Sequence, residues 1–187
     1  MLNLKLLLFI LPFWSTQPNI KSEKINEAYA FCKKNKLDTS FCIMVDMSIP
    51  SGKNRLFVYD FQHKKTVIAG LCAHGVGGGS TATKSVFSNK VGSNCTSLGK
   101  YIVKNRSYSN WGINIHYKMY GLETSNNNAF KRIVVLHSYT PVPNYEIYPQ
   151  TLFGISAGCP VIADDQMSQI DRLIIKKKKA VLLWIYN

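Results

Sequence analysis

Two short stretches of the chain carry residue types suited to nucleophilic catalysis. One is Lys131-Arg-Ile-Val-Val-Leu-His137, an apolar run that ends in an imidazole and continues into Ser138. The other is Phe153-Gly-Ile-Ser-Ala-Gly-Cys-Pro-Val-Ile-Ala-Asp-Asp165, in which Cys159 follows His137 by 22 positions. A cysteine attacks a carbonyl carbon as its thiolate, so it needs a base, and an imidazole held rigidly at a strand end is a suitable one. Gly158 allows a tight turn in front of the thiol, so that the Gly158 and Cys159 amides can point together at a developing oxyanion. Pro160 fixes the chain behind it, and a helix opening near Asp164 would favour the thiolate. Each residue also has a plainer reading. A histidine closing an apolar strand is commonly a hydrogen-bonded structural residue, and a cysteine among apolar neighbours is commonly a buried, inert thiol.

The elements that must position these groups are mostly strands. Short stretches rich in Val, Ile and Phe recur at 41–47, 55–61, 66–72, 99–104, 112–119, 131–137 and 180–186, separated by turn residues, which predicts a mainly β architecture of the sandwich or barrel type. The 131–137 run, apolar throughout, reads as a strand buried on both faces. Helical spacing of Ile25, Ala28, Tyr29 and Cys32 predicts a helix over 22–36 with Ser22 as N-cap. A second helix is expected over 164–176, capped by Asp164 or Asp165, with Met167, Ile170 and Ile174 on one side. The loop Ala73-His-Gly-Val-Gly-Gly-Gly-Ser80 places four glycines within five positions. It lacks the Lys-Ser/Thr of a phosphate-binding loop, and it reads equally as a mobile connection or as a site-lining segment.

Composition bounds the class. At 187 residues, 46% hydrophobic and 18% charged, the chain has the material for one packed domain, expected over 17–187. Lys5 and the apolar run from Leu6 to Trp14, followed by Ser15-Thr-Gln, read as a signal peptide over 1–16, too short to span a bilayer and implying export to the periplasm or cell envelope. The formal charge is +13, but lysines outnumber arginines 19 to 4. A lysine surface suits adsorption to an anionic polymer and suits sequence-specific nucleic-acid readout poorly, so no nucleic-acid partner is expected. No paired histidine spacing or Cys-x-x-Cys occurs, so no metal and no cofactor are expected. Of the five cysteines, Cys32, Cys42, Cys72 and Cys95 are compatible with up to two disulfides or with buried free thiols, leaving Cys159 as the odd one.

The order His137-Ser138 followed by Ser156-Ala-Gly-Cys159 resembles the signature of the L,D-transpeptidase (YkuD-like) catalytic domain, with Gly-Cys-Pro in the variant form of the murein L,D-transpeptidase branch. The segment Phe87 to Tyr101 resembles the family's lead into a strand. The resemblance covers the chain from about Phe41 onward and implies a β fold of mixed sheets with a few short helices.

It further implies an enzyme acting on peptidoglycan stem peptides. Cys159 would be the nucleophile, His137 the base, Ser138 the residue orienting the imidazole through its hydroxyl or its carbonyl, and Gly158 and Cys159 the oxyanion donors. A thioester would form with loss of a terminal D-amino acid, and then be resolved by an amine or by water. The alternatives are a carboxypeptidase or other wall hydrolase, and a wall-binding module that kept the fold without activity. Many members carry His where this chain has Ala157, and Arg or Asn where it has Val161. Substrate contacts therefore fall to other residues, and Ser156, His74, Asn89 and Tyr101 are the candidates.

Overall fold

The computed structural model describes residues 20–187. The segment read as a signal peptide lies outside them. Helix α1 (Ser22–Lys34) precedes strands β1 (Phe41–Asp46), β2 (Leu56–Asp60), β3 (Lys65–Gly70), β4 (Gly99–Tyr108), β5 (Ile115–Gly121), β6 (Val135–Ser138) and β7 (Val161–Ile162); helix α2 (Asp164–Ile174) and strand β8 (Val181–Tyr186) complete the chain. All eight strands join one mixed sheet in the order β3-β2-β1-β8-β4-β5-β6-β7, antiparallel except for the β1·β8 and β6·β7 pairs. The fold is mainly β with two helices, as the strand pattern predicts.

Period-two alternation decides what each face buries. Along the central strands, Ile43, Val45, Leu183 and Ile185 enter the main core, while Cys42, Met44, Leu182 and Trp184 point the other way, against Ala28 and Cys32 of α1. The main core also collects Ile68 of β3, Leu136 of β6 and Ile162 of β7, so strands far apart in the order meet over one interior. The sheet is therefore curled almost to closure. Met167, Ile170 and Ile174 of α2 fill the open side. The chain leaving β3 ties the two edges together: Ala73 N–H donates to the Val161 carbonyl at 2.8 Å, and Val76 N–H to that of Ser156 at 2.9 Å. Both edges are thereby covered.

Several expectations are corrected. The helix caps are Lys21 and Ala163, neither through a side chain; Ser22, Asp164 and Asp165 lie inside the first turns instead, where the acidic pair suits the helix dipole. Strand β4 runs past Lys104 to Tyr108 because Asn105 adopts φ +57° and absorbs a bulge. The 131–137 run is not buried on both faces. Val134, Leu136 and Ser138 face the core, Ile133 is exposed, and Val135 and His137 are half-buried on the outer side. All five cysteines are free thiols. Burial pushes the Cys32 thiol up to about 12, with Asp38 adding to it, and the Cys72 thiol up to about 11 against the opposing pull of Arg55, so both are inert packing groups.

One polar bridge locks α2 onto the sheet. Asp171 accepts from Arg106 Nε of β4 at 2.8 Å and from the Tyr117 hydroxyl of β5 at 2.7 Å. Burial alone would raise this carboxyl, but the two bonds outweigh it and hold it below the usual carboxylate range. Its stabilisation is therefore present at neutral pH and is lost as pH falls through the folded-state value. Asp171→Asn should cost about 1–3 kcal/mol at pH 7 in a denaturant titration, with the gap to the parent protein closing below about pH 4. A gap that persists unchanged in acid would reject this account.

Candidate active site

The parallel pairing of β7 on β6 sets His137 opposite Val161. Two residues back along both strands, that register places Cys159 beside Val135. The Val135 N–H lies 3.5 Å from the Cys159 Sγ, and the thiol reaches the Ile133 carbonyl at 3.8 Å. Cys159 and His137 line the same cleft of about 580 Å³, together with Trp111, Tyr139, Phe153 and Ser156. A second cleft of about 380 Å³, walled by Tyr108, His116, Ile133 and Val135, also contains Cys159, His137 and Trp111. The thiol and imidazole thus stand where two clefts meet.

His137 is oriented by backbone. Its Nδ1 lies 3.0 Å from the Ser138 carbonyl, which can only accept, so Nδ1 carries the proton and the Nε2 lone pair is left to act as base. Ser138 itself is buried, and its hydroxyl accepts the Ile113 N–H at 3.1 Å. Its carbonyl holds the imidazole, and its hydroxyl holds the β4–β5 turn that carries Trp111. Gly112 sits against this serine at φ +56°, where an added Cβ would come 2.0 Å from the Ser138 Oγ.

The turn before the thiol is braced through Ser156, whose hydroxyl accepts the Gly158 N–H at 2.9 Å and donates to the Cys159 carbonyl at 2.6 Å. Gly158 is therefore not a free oxyanion donor, because its amide is already bonded within the turn. The Cys159 N–H has no partner among the described residues and is the donor that remains. Gly158 is held at φ +119°, with its Cβ position 2.6 Å from the Cys95 carbonyl and 3.1 Å from the Arg132 guanidinium. Arg132 donates to the carbonyls of Ser88 and Cys95 and to the Ser97 hydroxyl, a cation fixed behind the turn.

Burial favours the neutral form of both groups. Burial raises the Cys159 thiol above its ordinary value, outweighing the Val135 N–H and the Arg132 charge, which lower it. Burial also lowers His137, against the Ser138 carbonyl and with a small contribution from His116, its partner across the β5–β6 ladder. The net shift of the thiol is thus set by desolvation, opposite in direction to the thiolate support expected from a helix opening near Asp164.

Three further candidates lie away from the thiol's two clefts. Tyr101 is fully buried in β4, its hydroxyl donating to Ser97 at 2.7 Å. Asn89 bonds Thr124, Asn127 and Asn128 and fastens two loops. His74 is buried between Arg55 and the Thr81 carbonyl. Ser156 does line the cleft, but its hydroxyl serves the turn. Sequence reasoning passed over Trp111, Tyr139, Phe153, His116 and Arg132. An exposed tryptophan in the turn Ser109-Asn-Trp-Gly112 was the available signal for Trp111. Nothing local marks Arg132, whose role depends on carbonyls 35 or more residues away in sequence.

No curated protein matches the chain. The family model of the L,D-transpeptidase catalytic domain matches residues 15–186. The chain belongs to that family. The resemblance carried by His137-Ser138 and the Ser156-to-Cys159 turn thus extends back through α1. Among solved structures, the L,D-transpeptidase domain described above is similar to the helical cell shape determining protein Pgp2 from Campylobacter jejuni, at 9% identity and a TM-score of 0.50 over 79% of this chain and 48% of that one. A single-residue variant of Pgp2 gives 0.51 over 79% and 47%, also at 9% identity. The L,D-transpeptidase from Xylanimonas cellulosilytica matches at 11% identity and 0.41, over 79% and 60%. At this identity the likeness to Pgp2 supports the fold alone, and the chain spans about half the length of Pgp2. At the level of the family, the domain is that of a cell-wall enzyme.

Two measurements test the site. Alkylation of Cys159 by iodoacetamide should keep accelerating up to and beyond pH 9, whereas a plateau near neutrality would reveal a resting ion pair and reject the neutral one. Gly112→Ala should lower turnover by about 10²-fold with an unchanged far-ultraviolet spectrum, through displacement of Ser138 and His137. Full activity in that variant would remove Ser138 from the positioning chain.

Proposed function

We propose that the protein is a cysteine L,D-transpeptidase acting on peptidoglycan stem peptides through a thioester. His137 Nε2 takes the Cys159 proton as Sγ attacks the carbonyl carbon of an L-to-D peptide bond. The Cys159 N–H faces the oxyanion, and Arg132 adds positive potential behind the turn. Collapse breaks the C–N bond, and the imidazolium returns its proton to the departing D-amino acid. An acceptor amine then gives its proton to His137, attacks the thioester, and releases the thiol with a new amide bond. The observation that carries this reading is the position of one thiol and one correctly tautomerised imidazole at the junction of two clefts. One cleft can hold the acyl donor while the other admits the amine. Water entering by the same route would give trimming instead, and export with a lysine surface would keep the enzyme beside an anionic wall polymer.

Isolated muropeptides incubated with the protein should give a dimer mass by mass spectrometry, and Cys159→Ala should abolish it while retaining the fold. Loss of one D-amino acid without dimer marks a carboxypeptidase, and unchanged turnover in the variant rejects Cys159 as nucleophile. The acid limb of kcat/KM should lie below the ordinary imidazole value of 6.5, because burial lowers His137.

A further inference from the structure

Arg55 is a buried cation that the catalytic chemistry does not use. It is 1% exposed, and no carboxylate of the described residues lies within 4.0 Å of its guanidinium. Its bonds go to neutral acceptors: Nε to the Cys72 carbonyl at 2.7 Å, Nη1 to the Ile49 carbonyl at 3.1 Å, and Nη2 to His74 Nδ1 at 3.1 Å. Because arginine only donates, His74 must carry its proton on Nε2, which reaches the Thr81 carbonyl at 3.2 Å. His74 is therefore neutral and offsets nothing. Of the five guanidinium N–H groups, those three bonds leave two over. The carboxylate whose charge acts on Arg55 is that of Asp46, and its Oδ1 is already bonded by the Ser48 amide and hydroxyl.

This guanidinium lines a separate polar pocket of about 270 Å³, roofed by the segment after the glycine-rich loop. Thr83, Lys84 and Ser85 line it as well, and neither the Thr83 nor the Ser85 hydroxyl has a hydrogen-bond partner among the described residues. A buried guanidinium with no carboxylate paired directly to it is costly, and a cavity of this size lined by that guanidinium, a lysine and two hydroxyl-bearing residues has the composition of an anion site. The other arginine held by a carboxylate, Arg106, shows the ordinary solution that Arg55 lacks. We propose that this pocket is an oxyanion site that takes a single phosphate or carboxylate group, bound by Arg55 and Lys84. The site is independent of the cysteine reaction. It borders the catalytic cleft through one contact, the His74 ring against that of Phe153 at a centroid separation of 6.0 Å.

The test is a titration of the whole protein with inorganic phosphate, and separately with acetate, at constant ionic strength, following the imidazole resonances by NMR. His74 should shift saturably while His63, His116 and His137 do not, and sodium chloride should give no saturable shift. Lys84→Ala should weaken the apparent affinity about threefold. Arg55→Lys keeps the charge but loses the fork, and should weaken it about tenfold. Saturation by phosphate alone assigns a phosphoryl ligand, and by acetate alone a carboxylate; saturation by both assigns the shared oxyanion chemistry. Shifts that are linear, equal with chloride, or unaltered by Lys84→Ala overturn the proposal, and the lysine variant decides the matter if Arg55→Lys does not fold.

Discussion

The site depends on two residues of parallel pairing. Strand β7 is only Val161 and Ile162, yet its ladder with β6 is what carries Cys159 across to Val135 and His137. So short a strand cannot hold itself in place by hydrogen bonds alone. It is pinned on both sides: Ile162 is buried in the main core, and the Val161 and Ser156 carbonyls accept N–H groups from the chain leaving β3. The near-closure of the sheet is therefore what positions the Cys159 thiol. Loosening the β3 edge would free the thiol before it disturbed the core.

The same closure sets the electrostatics. A thiol tucked between the Ser156–Gly158 turn and β6 loses water, and desolvation outweighs both the Val135 N–H and the Arg132 charge that favour its anion. The imidazole beside it is pushed in the complementary direction. In the proposed reaction a neutral pair would have a chemical consequence, since charge would appear only when the proton moves and the fixed groups around it would act on that state. Arg132 suits this role because it is held by carbonyls and a hydroxyl rather than by a carboxylate, so its charge is not cancelled locally.

Much of this was readable in the sequence, and the failures have specific causes. The strands of the centre, 41–47 and 180–186, could be placed closely because they are buried on both faces and their apolar runs have clear polar boundaries. The 131–137 run looked the same but was misread, since Ile133, Val135 and His137 are apolar or aromatic for the sake of a cleft and not of a core. Strand β7 escaped notice because two residues have no periodicity. Local motif and order single out His137, Ser138 and Cys159, and the fold brings the imidazole and the thiol into the same clefts, whereas residue type alone points to Tyr101, Asn89 and His74, which hydrogen-bond within the scaffold. The Gly158 amide was assigned from the general logic of a turn. What no sequence pattern gives is that Ser156, three residues before the thiol, reaches that amide first.

The charge distribution follows a division between the two basic residue types. Of the four arginines, Arg106 joins α2 to the sheet, Arg132 backs the turn before Cys159, Arg55 is buried beside His74, and Arg172 bonds Ser168 within its own helix. Arg106, Arg132 and Arg55 use the planar fork to make several bonds to fixed partners, which a flexible ammonium does poorly. The lysines are left to supply most of the +13 at the surface. Lys100 is the exception, 9% exposed, paired with Glu27 and Glu123 and lying 4.1 Å from the Trp184 ring centroid, where it anchors α1. The net charge therefore describes what the surface attracts, and the few arginines describe what the interior requires. Those two roles are separable: neutralising surface lysines should alter attraction to anionic material through screening-sensitive, long-range forces. The bonded geometry around Cys159 rests on none of them.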